Sequence, residues 1–367
     1  MYIKEVKLKN FRNYIEETIE FHKKVNIITG NNAQGKTNLL ESLYIMCLGK
    51  SFRTNKDVEM IRFGQDQSRA KSISIKNGCE IEVEINISKD GKTIKIDGLK
   101  ASKNIDILEN VYMVVFSPED LKIVKDEPEK RRKFIDRELC QIKTVYYKNL
   151  VRYKKILHHR NSLLKQNEIN EDSLEVWNEA LAEYGSKIMF ERKSFIYNLN
   201  EISKEINKKI TNGKEELEIF YEANVACQDN LFDQKKHFLI KLHENIKKDI
   251  FRRGTVIGPH RDDIKICIDG IDIRHFGSQG QQRTAALSLK LAEIKLIKEE
   301  TGEDPILLLD DVLSELDSER QRFLINSLDG VQLFITTTEI GEELKKNLPE
   351  RKTFYVEKGR VMLDEEG

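Results

Sequence analysis

The sequence predicts an α/β fold in which one mixed lobe is interrupted by a mainly helical insertion. Three observations lead to this prediction: strand patterns surround one apolar helix up to residue 116, helical periodicity dominates from 117 to about 250, and strand patterns then return. We therefore expect lobe I to comprise residues 1–116 plus 253–367, and lobe II to comprise residues 117–252.

Lobe I begins with short strands that lead into one buried helix. Residues 2–9, 15–21 and 25–29 have strand patterns, and the third run is β-branched and ends on Gly30, as a buried strand that enters a loop does. A helix that is apolar on most faces follows from Lys36 to about Leu48. Residues 71–97 alternate apolar and polar side chains around two Gly-containing turns, which predicts antiparallel hairpins, and residues 111–116 read as a buried strand.

A heptad pattern predicts a short antiparallel helical arm in lobe II. Its seam consists of Leu174, Leu181, Ile188, Phe195 and Ile202. The segment 142–164 carries apolar residues mostly three or four apart and is the natural partner, with a polar turn over 166–172. Two helices of about 30 residues each would form an arm of about eight turns.

The remaining elements return to strand and helix in alternation. Strand patterns lie near 218–225 and 264–268, a helix is expected over 279–299, and residues 306–309 form an apolar strand. A helix at 318–328, a strand at 331–336, a further helix and a hairpin through Gly359 complete the predicted order.

Composition excludes several classes of protein. The chain has 62 Lys and Arg against 62 Asp and Glu, so its formal net charge is zero and it cannot hold nucleic acid or membrane by bulk charge. No apolar stretch approaches the roughly 18 residues of a membrane span, and the N-terminal residues alternate like a strand rather than a signal peptide. The five cysteines are dispersed without a CxxC pair. This usage favours free thiols in a reducing cytosol, so we expect a cytoplasmic protein without a membrane partner.

Residues 30–37 match the phosphate-binding pattern GxxxxGK[ST] between a predicted strand and a predicted helix. Glycines allow backbone N–H groups to converge on a phosphate, and the helix N-terminus adds a favourable field. Lys36 would pair with the β- and γ-phosphate oxygens of ATP, and the Thr37 hydroxyl would bind Mg²⁺. The candidate nucleotide-binding residues are Gly30, Asn31, Asn32, Ala33, Gln34, Gly35, Lys36 and Thr37.

Two carboxylates follow the apolar strand at 306–309. Asp310 would hold Mg²⁺ directly or through water, and Asp311 would position or deprotonate the attacking water. The alternative is that both residues merely cap the following turn. Together with Lys36 these are the candidate catalytic residues, and Thr37 and Asp310 are the candidate metal ligands.

The run Gly277-Ser278-Gln279-Gly280-Gln281-Gln282-Arg283 resembles the signature loop of ABC-class ATPases, and residues 314–317 (Ser-Glu-Leu-Asp) resemble their D-loop. With residues 10–14, 49–54, 116–121, 258–263 and 309–317, the chain resembles the RecF family of recombination mediators. The resemblance implies an ABC-type ATPase head: lobe I is α/β with the P-loop and antiparallel strands, and helical lobe II carries the short arm.

The resemblance also implies a mechanism. Two copies would pair with two-fold symmetry, each presenting its signature to the partner's nucleotide, and Arg12 would lie near the nucleotide. The implied trans-acting residues are Ser278, Gln279, Gly280 and Gln281, with Ser314 and Asp317 in the D-loop. Such a protein would clamp gapped, single-stranded or linear DNA and support recombinase loading, fork maintenance and SOS induction, with RecR- and RecO-like mediators.

Several departures from the ABC pattern predict a weak, DNA-stimulated ATPase that acts as a switch. The signature has Gly277 and Gln279 where Leu and Gly are usual, and Asp311 stands where most ABC enzymes have Glu. No switch histidine is evident, because the strand 333–335 runs into Thr336-Thr337-Thr338, so a hydroxyl would have to sense the γ-phosphate. No Q-loop glutamine is evident near residues 117–120 either. The alternatives are an SMC-type structural head, which the short arm disfavours, and a transporter subunit, which the long insertion disfavours.

The basic segment 143–165, which contains no Asp or Glu, is the candidate DNA-binding surface. Alternatively, this segment is simply the solvated outer face of the arm. Other candidate DNA-binding clusters are residues 130–133 and the group Lys50, Arg53 and Lys56. The candidate DNA-binding residues are Lys143, Lys148, Arg152, Lys154, Lys155 and Arg160.

Overall fold

A computed structural model describes residues 1–101, 105–108, 110–168, 171–328, 330–338, 348 and 350–364. The chain divides into two compact units: unit 1 is Met1–Leu121 with Glu293–Gly367, and unit 2 is Lys122–Ala292. The predicted return to lobe I at residue 253 is therefore wrong. Residues 253–292 belong to unit 2 because Asp263–Ile268 pairs antiparallel with Leu217–Glu222 in one sheet, which ties this segment to the helical part of the chain.

The elements are numbered in chain order. The strands are β1 Tyr2–Phe11, β2 Tyr14–Glu20, β3 Val25–Thr29, β4 Gln67–Lys76, β5 Cys79–Ser88, β6 Gly91–Ile96, β7 Leu99–Lys100, β8 Met113–Phe116, β9 Leu217–Glu222, β10 Asp263–Ile268, β11 Ile271–Asp272, β12 Ile306–Asp310, β13 Leu333–Thr336, β14 Arg351–Glu357 and β15 Arg360–Asp364. The helices are α1 Lys36–Leu48, α2 Ile105–Leu108, α3 Pro128–Ile142, α4 Thr144–Leu163, α5 Glu171–Ile210, α6 Leu231–Glu244, α7 Ile246–Arg252, α8 Ile273–Phe276, α9 Gln279–Thr301 and α10 Ser318–Asn326.

Unit 1 contains two sheets. The first is antiparallel, in the order β2-β1-β4-β5-β6-β7, and its β4–β5 hairpin turns at Asn77 and Gly78, which have φ angles of 51° and 79°. Two consecutive positive φ angles are what a tight hairpin turn with the twist of its strands requires, so the Asn-Gly pair marks this turn in the sequence. The predicted hairpins of residues 71–97 are confirmed.

The second sheet of unit 1 has the order β15-β14-β3-β13-β12-β8, with β14, β3, β13, β12 and β8 parallel and β15 antiparallel at one edge. Its central strands β3, β12 and β13 are mostly apolar, and all their residues except Thr29 are buried, as expected for a parallel sheet covered on both faces. Because β3 and β12 run in the same direction, the loops that follow them lie at the same edge of the sheet. The helix predicted between β13 and β14 falls outside the described residues.

Unit 2 contains the predicted antiparallel arm, formed by α4 and α5. All the heptad seam residues of α5 are buried, and they pack in the unit's core with Tyr146, Leu150 and Tyr153 of α4. The two helices are unequal, with 20 residues in α4 and 40 in α5. The predicted partner helix is shorter than expected because Lys143 adopts an extended conformation (φ −129°, ψ 99°), which separates α3 from α4.

Candidate functional site

The P-loop, which is the phosphate-binding run at residues 30–37, connects β3 to α1. It contains backbone conformations that only glycine adopts readily. Gly30 has φ 137° and Gly35 has φ 127°. A Cβ atom would lie 2.3 Å from the Val356 carbonyl oxygen at position 30, and 2.7 Å from the Asn13 Nδ2 atom at position 35. Both contacts are too short for a side chain, so the loop's glycines are required by sterics as well as by φ.

Residues far away in the sequence hold the loop in place. Asn13 Nδ2 donates to the Gln34 carbonyl oxygen at 2.7 Å, and the Tyr14 hydroxyl donates to the Gly35 carbonyl oxygen at 2.9 Å. At the β14–β15 turn, the Lys358 N–H donates to Gln34 Oε1 at 2.7 Å. The β1–β2 turn thus fixes the Gln34 and Gly35 carbonyl groups, and the last hairpin fixes Gln34 through its side chain and, from the Gly359 N–H, through its carbonyl oxygen.

Lys36 lies against the loop that precedes it. Its Nζ atom donates to the carbonyl oxygens of Gly30 at 2.6 Å and Asn31 at 3.1 Å, and the residue is 7% exposed. Burial lowers the pKa of the Lys36 ammonium, while the nearby carboxylates Asp311 and Asp310 act to raise it. The ammonium is therefore held beside the loop, where it can meet phosphate oxygens.

Thr37 and Asp310 meet at the common edge of the parallel sheet. Thr37 Oγ1 donates to Asp310 Oδ1 at 2.9 Å, and Thr336 Oγ1 at the end of β13 donates to the same oxygen at 2.9 Å. Burial raises the pKa of the Asp310 carboxyl, and the two hydroxyl hydrogen bonds oppose that rise. A hydroxyl and a carboxylate at this separation fit Mg²⁺, which takes one or two carboxylates together with phosphate oxygens and water.

Asp311 turns sharply away from the end of β12. Its backbone is left-handed (φ 56°), and its N–H donates to Thr336 Oγ1 at 3.0 Å. Thr336 therefore contacts both predicted catalytic carboxylate residues, through the Asp310 side chain and the Asp311 backbone. A hydroxyl from this threonine run is expected to replace the switch histidine, and the position of Thr336 supports that hypothesis.

Arg12 follows the end of β1 in a left-handed conformation (φ 52°). Its guanidinium forms a two-pronged pair with Glu41 of α1, at 2.7 Å from Nε to Oε2 and 2.7 Å from Nη2 to Oε1. The family resemblance implies that Arg12 lies near the nucleotide. Glu41 could not be recognised from the sequence, because a single acidic residue within a mostly apolar helix carries no motif.

The signature run lies in unit 2 at the beginning of α9. Ser278 Oγ accepts from the Gln281 N–H at 3.2 Å, and Gln281 Oε1 accepts from the Ser278 N–H at 3.0 Å, which is a reciprocal capping box. Ser278, Gln279 and Gly280 are exposed. This helix N-terminus is therefore ordered by its own residues and presented to solvent, where its field favours an anion.

The D-loop residues have local partners in unit 1. Ser314 Oγ donates to the Asp311 carbonyl oxygen at 2.7 Å. Asp317 caps α10 by accepting from the Arg320 N–H at 2.9 Å. Ser314 and Asp317 are both exposed.

The predicted DNA-binding residues do not share one environment. Arg160 is fully buried and pairs with Asp249 at 2.8 Å, so its assignment to the DNA surface is wrong: no phosphate can reach it. Lys143 pairs with Glu191 at 2.8 Å. The exposed members of the predicted set are Lys148, Arg152, Lys154 and Lys155.

His260, a residue of the 258–263 motif without a predicted role, is a structural group of unit 2. Its Nδ1 lies 2.7 Å from the Tyr153 hydroxyl, and its Nε2 lies 3.0 Å from the Thr255 carbonyl oxygen. Burial lowers the pKa of His260 to about 4. A neutral ring that donates from Nε2 and accepts at Nδ1 satisfies both contacts.

A P-loop and a carboxylate strand at one sheet edge, together with an exposed signature helix, define the head of an ABC-class ATPase. The family described as the RecF/RecN/SMC N terminal domain matches residues 2–355. The chain is 48% identical to the DNA replication and repair protein RecF of Alkaliphilus oremlandii, over 98% of this chain and 100% of that protein. It is also 48% identical to RecF of Clostridium botulinum (strain ATCC 19397 / Type A), over 98% of this chain and 99% of that protein.

Solved structures agree with this assignment. The recombination mediator protein RecF-ATP of the RecFOR pathway matches with a TM-score of 0.92 and 37% identity, over 99% of this chain and 97% of that one. An SMC head bound to the C-winged helix domain of ScpA matches with a TM-score of 0.57 and 16% identity, which is a likeness of fold alone. The chain belongs to the RecF family of DNA replication and repair proteins. Within the described residues, no helix is long and apolar enough to cross a membrane.

Proposed function

We propose that the chain is an ATP-switched DNA-binding protein of recombinational repair. ATP with Mg²⁺ pairs two copies, the pair holds DNA, and slow hydrolysis releases it. The observation that carries the proposal is the contact of Thr37 with Asp310 beside the glycine-constrained P-loop. The ATP in the related RecF structure supports the choice of nucleotide.

Different residues of the chain bind phosphate, hold the metal ion and orient water at this site. The N–H groups of the P-loop and the N-terminus of α1 bind phosphate oxygens, and the Lys36 ammonium neutralises their charge. Thr37 and Asp310 hold Mg²⁺, which supplies charge neutralisation when it is bound. Asp311 orients the water that attacks the terminal phosphate.

Hydrolysis is expected to be slow and to be stimulated by DNA. The Asp311 carboxylate extends one methylene less than the glutamate usual in ABC enzymes, so it reaches the attacking water less well. The left-handed backbone of Asp311 is also held by its hydrogen bond to Thr336, which limits how far the carboxylate can move toward the water. A slow reaction gives the bound state a lifetime and suits a switch better than a motor.

Pairing of two copies follows from the exposed signature. Ser278, Gln279, Gly280 and Gln281 begin a helix whose N-terminus is free to meet the γ-phosphate of a partner copy. Reciprocal contacts of this kind make a two-fold symmetric dimer. Since ATP binds only the paired form fully, ATP drives dimerisation by linkage.

The DNA contact is assigned to the exposed cations of α4. Lys148 and Lys155 are exposed, and no ion pair is described for either within the structurally described part of the chain. Pairing two copies doubles the number of such cations and therefore strengthens a weak phosphate contact. We expect single-stranded, gapped or duplex DNA as substrate, RecR- and RecO-like proteins as partners, a role at forks and in SOS induction, and a cytoplasmic location.

Neither alternative class is favoured. An SMC-type head would extend into a long coiled coil, whereas α4 has only 20 residues. Its likeness to this chain is one of fold at 16% identity. A transporter subunit would bind a membrane-embedded partner, and no observation on the described residues points to one.

One experiment tests the proposal. Molecular mass by light scattering and DNA retention on a filter are measured with ATP, ADP and no nucleotide, for the unaltered chain, Lys36→Met and the matched surface control Lys89→Met. We expect ATP alone to double the mass and raise DNA retention, in the unaltered chain and the control but not in Lys36→Met. If ATP changes neither mass nor retention in the unaltered chain, the proposal fails.

A further inference from the structure

Glu41 is a buried carboxylate inside the helix that follows the P-loop. It lies four residues after Thr37 on α1, and its side chain is 0% exposed. Ionised carboxylates are almost never fully buried unless they are paired, because water no longer solvates the charge. Most of the surrounding helix is buried, so Glu41 is present for its partners and not for solubility.

Its partners are two arginines and a serine from different segments. Arg12 approaches with parallel N–H bonds of 2.7 Å each, the geometry in which guanidinium and carboxylate pair most strongly. Ser51 Oγ donates to Glu41 Oε1 at 2.5 Å, and the Nη1 atom of Arg53 lies 3.7 Å from Oε2. One carboxylate thus fixes the β1–β2 turn and the segment after α1.

These contacts continue to the P-loop through asparagine side chains. Arg53 Nη1 donates to Asn38 Oδ1 at 2.6 Å, and Asn38 Nδ2 donates to Asn13 Oδ1 at 2.8 Å. Asn13 in turn holds the Gln34 carbonyl oxygen at 2.7 Å. A continuous polar chain therefore joins Glu41 to the backbone of the phosphate-binding loop.

Both arginines keep the capacity to meet an anion. Arg12 uses three N–H groups on Glu41 and on the Glu59 carbonyl oxygen, and a guanidinium has five. Arg53 is 44% exposed at its side chain. It is also close enough to the Asp310 carboxyl to oppose the pKa rise that burial causes there.

We propose that Glu41 is a positioning residue of the phosphate site, which holds the guanidinium groups of Arg12 and Arg53 in fixed geometry beside the P-loop. The inference rests on the proposed binding of ATP at this loop. An arginine already held in place does not have to be ordered by the ligand, and ordering a long side chain on binding costs affinity. Removing the carboxylate's charge therefore weakens ATP binding although neither arginine is changed.

The test compares Glu41→Gln with Glu84→Gln by titrating ATP in the presence of Mg²⁺. Glu84 is a matched control: it is a buried carboxylate of unit 1 on β5, paired with Arg69 at 2.6 Å. We expect Glu41→Gln to raise the Kd for ATP about tenfold, as when one or two arginines must be ordered by the ligand. We expect Glu84→Gln to leave it unchanged.

A double-mutant cycle separates positioning from mere stability. Arg12→Ala and Glu41→Gln are each expected to raise the Kd, and the double variant by clearly less than the product of the two factors, because the Arg12–Glu41 pair is common to both. If Glu41→Gln does not fold, Glu41→Asp, which keeps the charge with a shorter reach, is expected to raise the Kd about threefold.

The outcomes are distinguishable. A Kd that neither Glu41→Gln nor Glu41→Asp changes, or a double variant whose factor is the product of the single ones, overturns the inference even if the thermal midpoint falls. An unaltered chain that does not bind ATP overturns the proposed function, and the inference with it.

Discussion

Replacing Arg160 is expected to damage the fold of unit 2 and not the DNA contact. Arg160 and Asp249 are both fully buried and lie 2.8 Å apart. Arg160 also donates to Asn178 Oδ1 at 2.8 Å and to Thr255 Oγ1 at 2.7 Å. It therefore joins the arm helices α4 and α5 to α7 and to the segment after α7.

The size of the effect follows from what Arg160→Met leaves behind. Asp249 would keep its charge in the interior without its cation, and breaking a buried pair in this way costs about 3–5 kcal/mol. For a unit of this size, such a loss lowers the thermal midpoint by about 6 to 20 °C. Arg160→Met with Asp249→Leu removes both charges and is expected to recover most of the loss.

The assay is thermal and urea unfolding followed by circular dichroism, with DNA retention measured on the same samples. Arg152→Met, which changes an exposed arginine of the same helix, is the control and should shift the midpoint very little. A stable Arg160→Met variant with reduced DNA affinity would refute the reasoning, because it would mean that Arg160 faces DNA after all.

Three further outcomes are expected. Lys148→Ala with Lys155→Ala should weaken DNA binding and reduce the slope of log K against log salt by about two, and an unchanged slope would remove these lysines from the interface. Asp311→Glu should raise kcat for ATP about tenfold without changing KM, since the base gains reach, and a fall in kcat would contradict this role for Asp311. Because burial lowers the pKa of His260 to about 4 from its ordinary 6.5, the unfolded chain binds more protons between these values. The free energy of unfolding of unit 2 should thus fall as the pH is lowered from 6.5 to about 4. In a pH series of urea unfolding, the His260→Gln variant should show a smaller fall over the same range.

Much of the fold could be predicted because it is encoded locally. The apolar run of β3 followed by glycines, the Asn77-Gly78 turn and the heptad seam of α5 each reflect forces between residues close in the chain. The structure has all of them near the expected positions. The prediction was wrong where pairing between distant segments determines the unit to which a segment belongs. Residues 253–292 belong to unit 2 because β10 pairs with β9.

The residues of the candidate site also fall into those that the sequence reveals and those that depend on contacts between distant segments. The P-loop and the strand ending in Asp310 are recognisable because phosphate and Mg²⁺ require particular residues at fixed spacings. Glu41 is not, since a buried glutamate is ordinary in sequence, and it gains a role only when the fold brings Arg12 to it. The threonine run after β13 is recognisable, but the fold is needed to show that Thr336 contacts Asp310.

The basic segment on α4 shows why charge in a sequence does not determine a surface. A helix exposes some of its residues and buries others, so the acid-free stretch contains both solvent-facing cations such as Lys148 and the buried Arg160. The sequence by itself determined the nucleotide chemistry, because that chemistry depends on residue types at short spacing. Only the tertiary structure decided which carboxylate each cation meets and which cations remain free, because both depend on the packing of segments that are far apart in the chain.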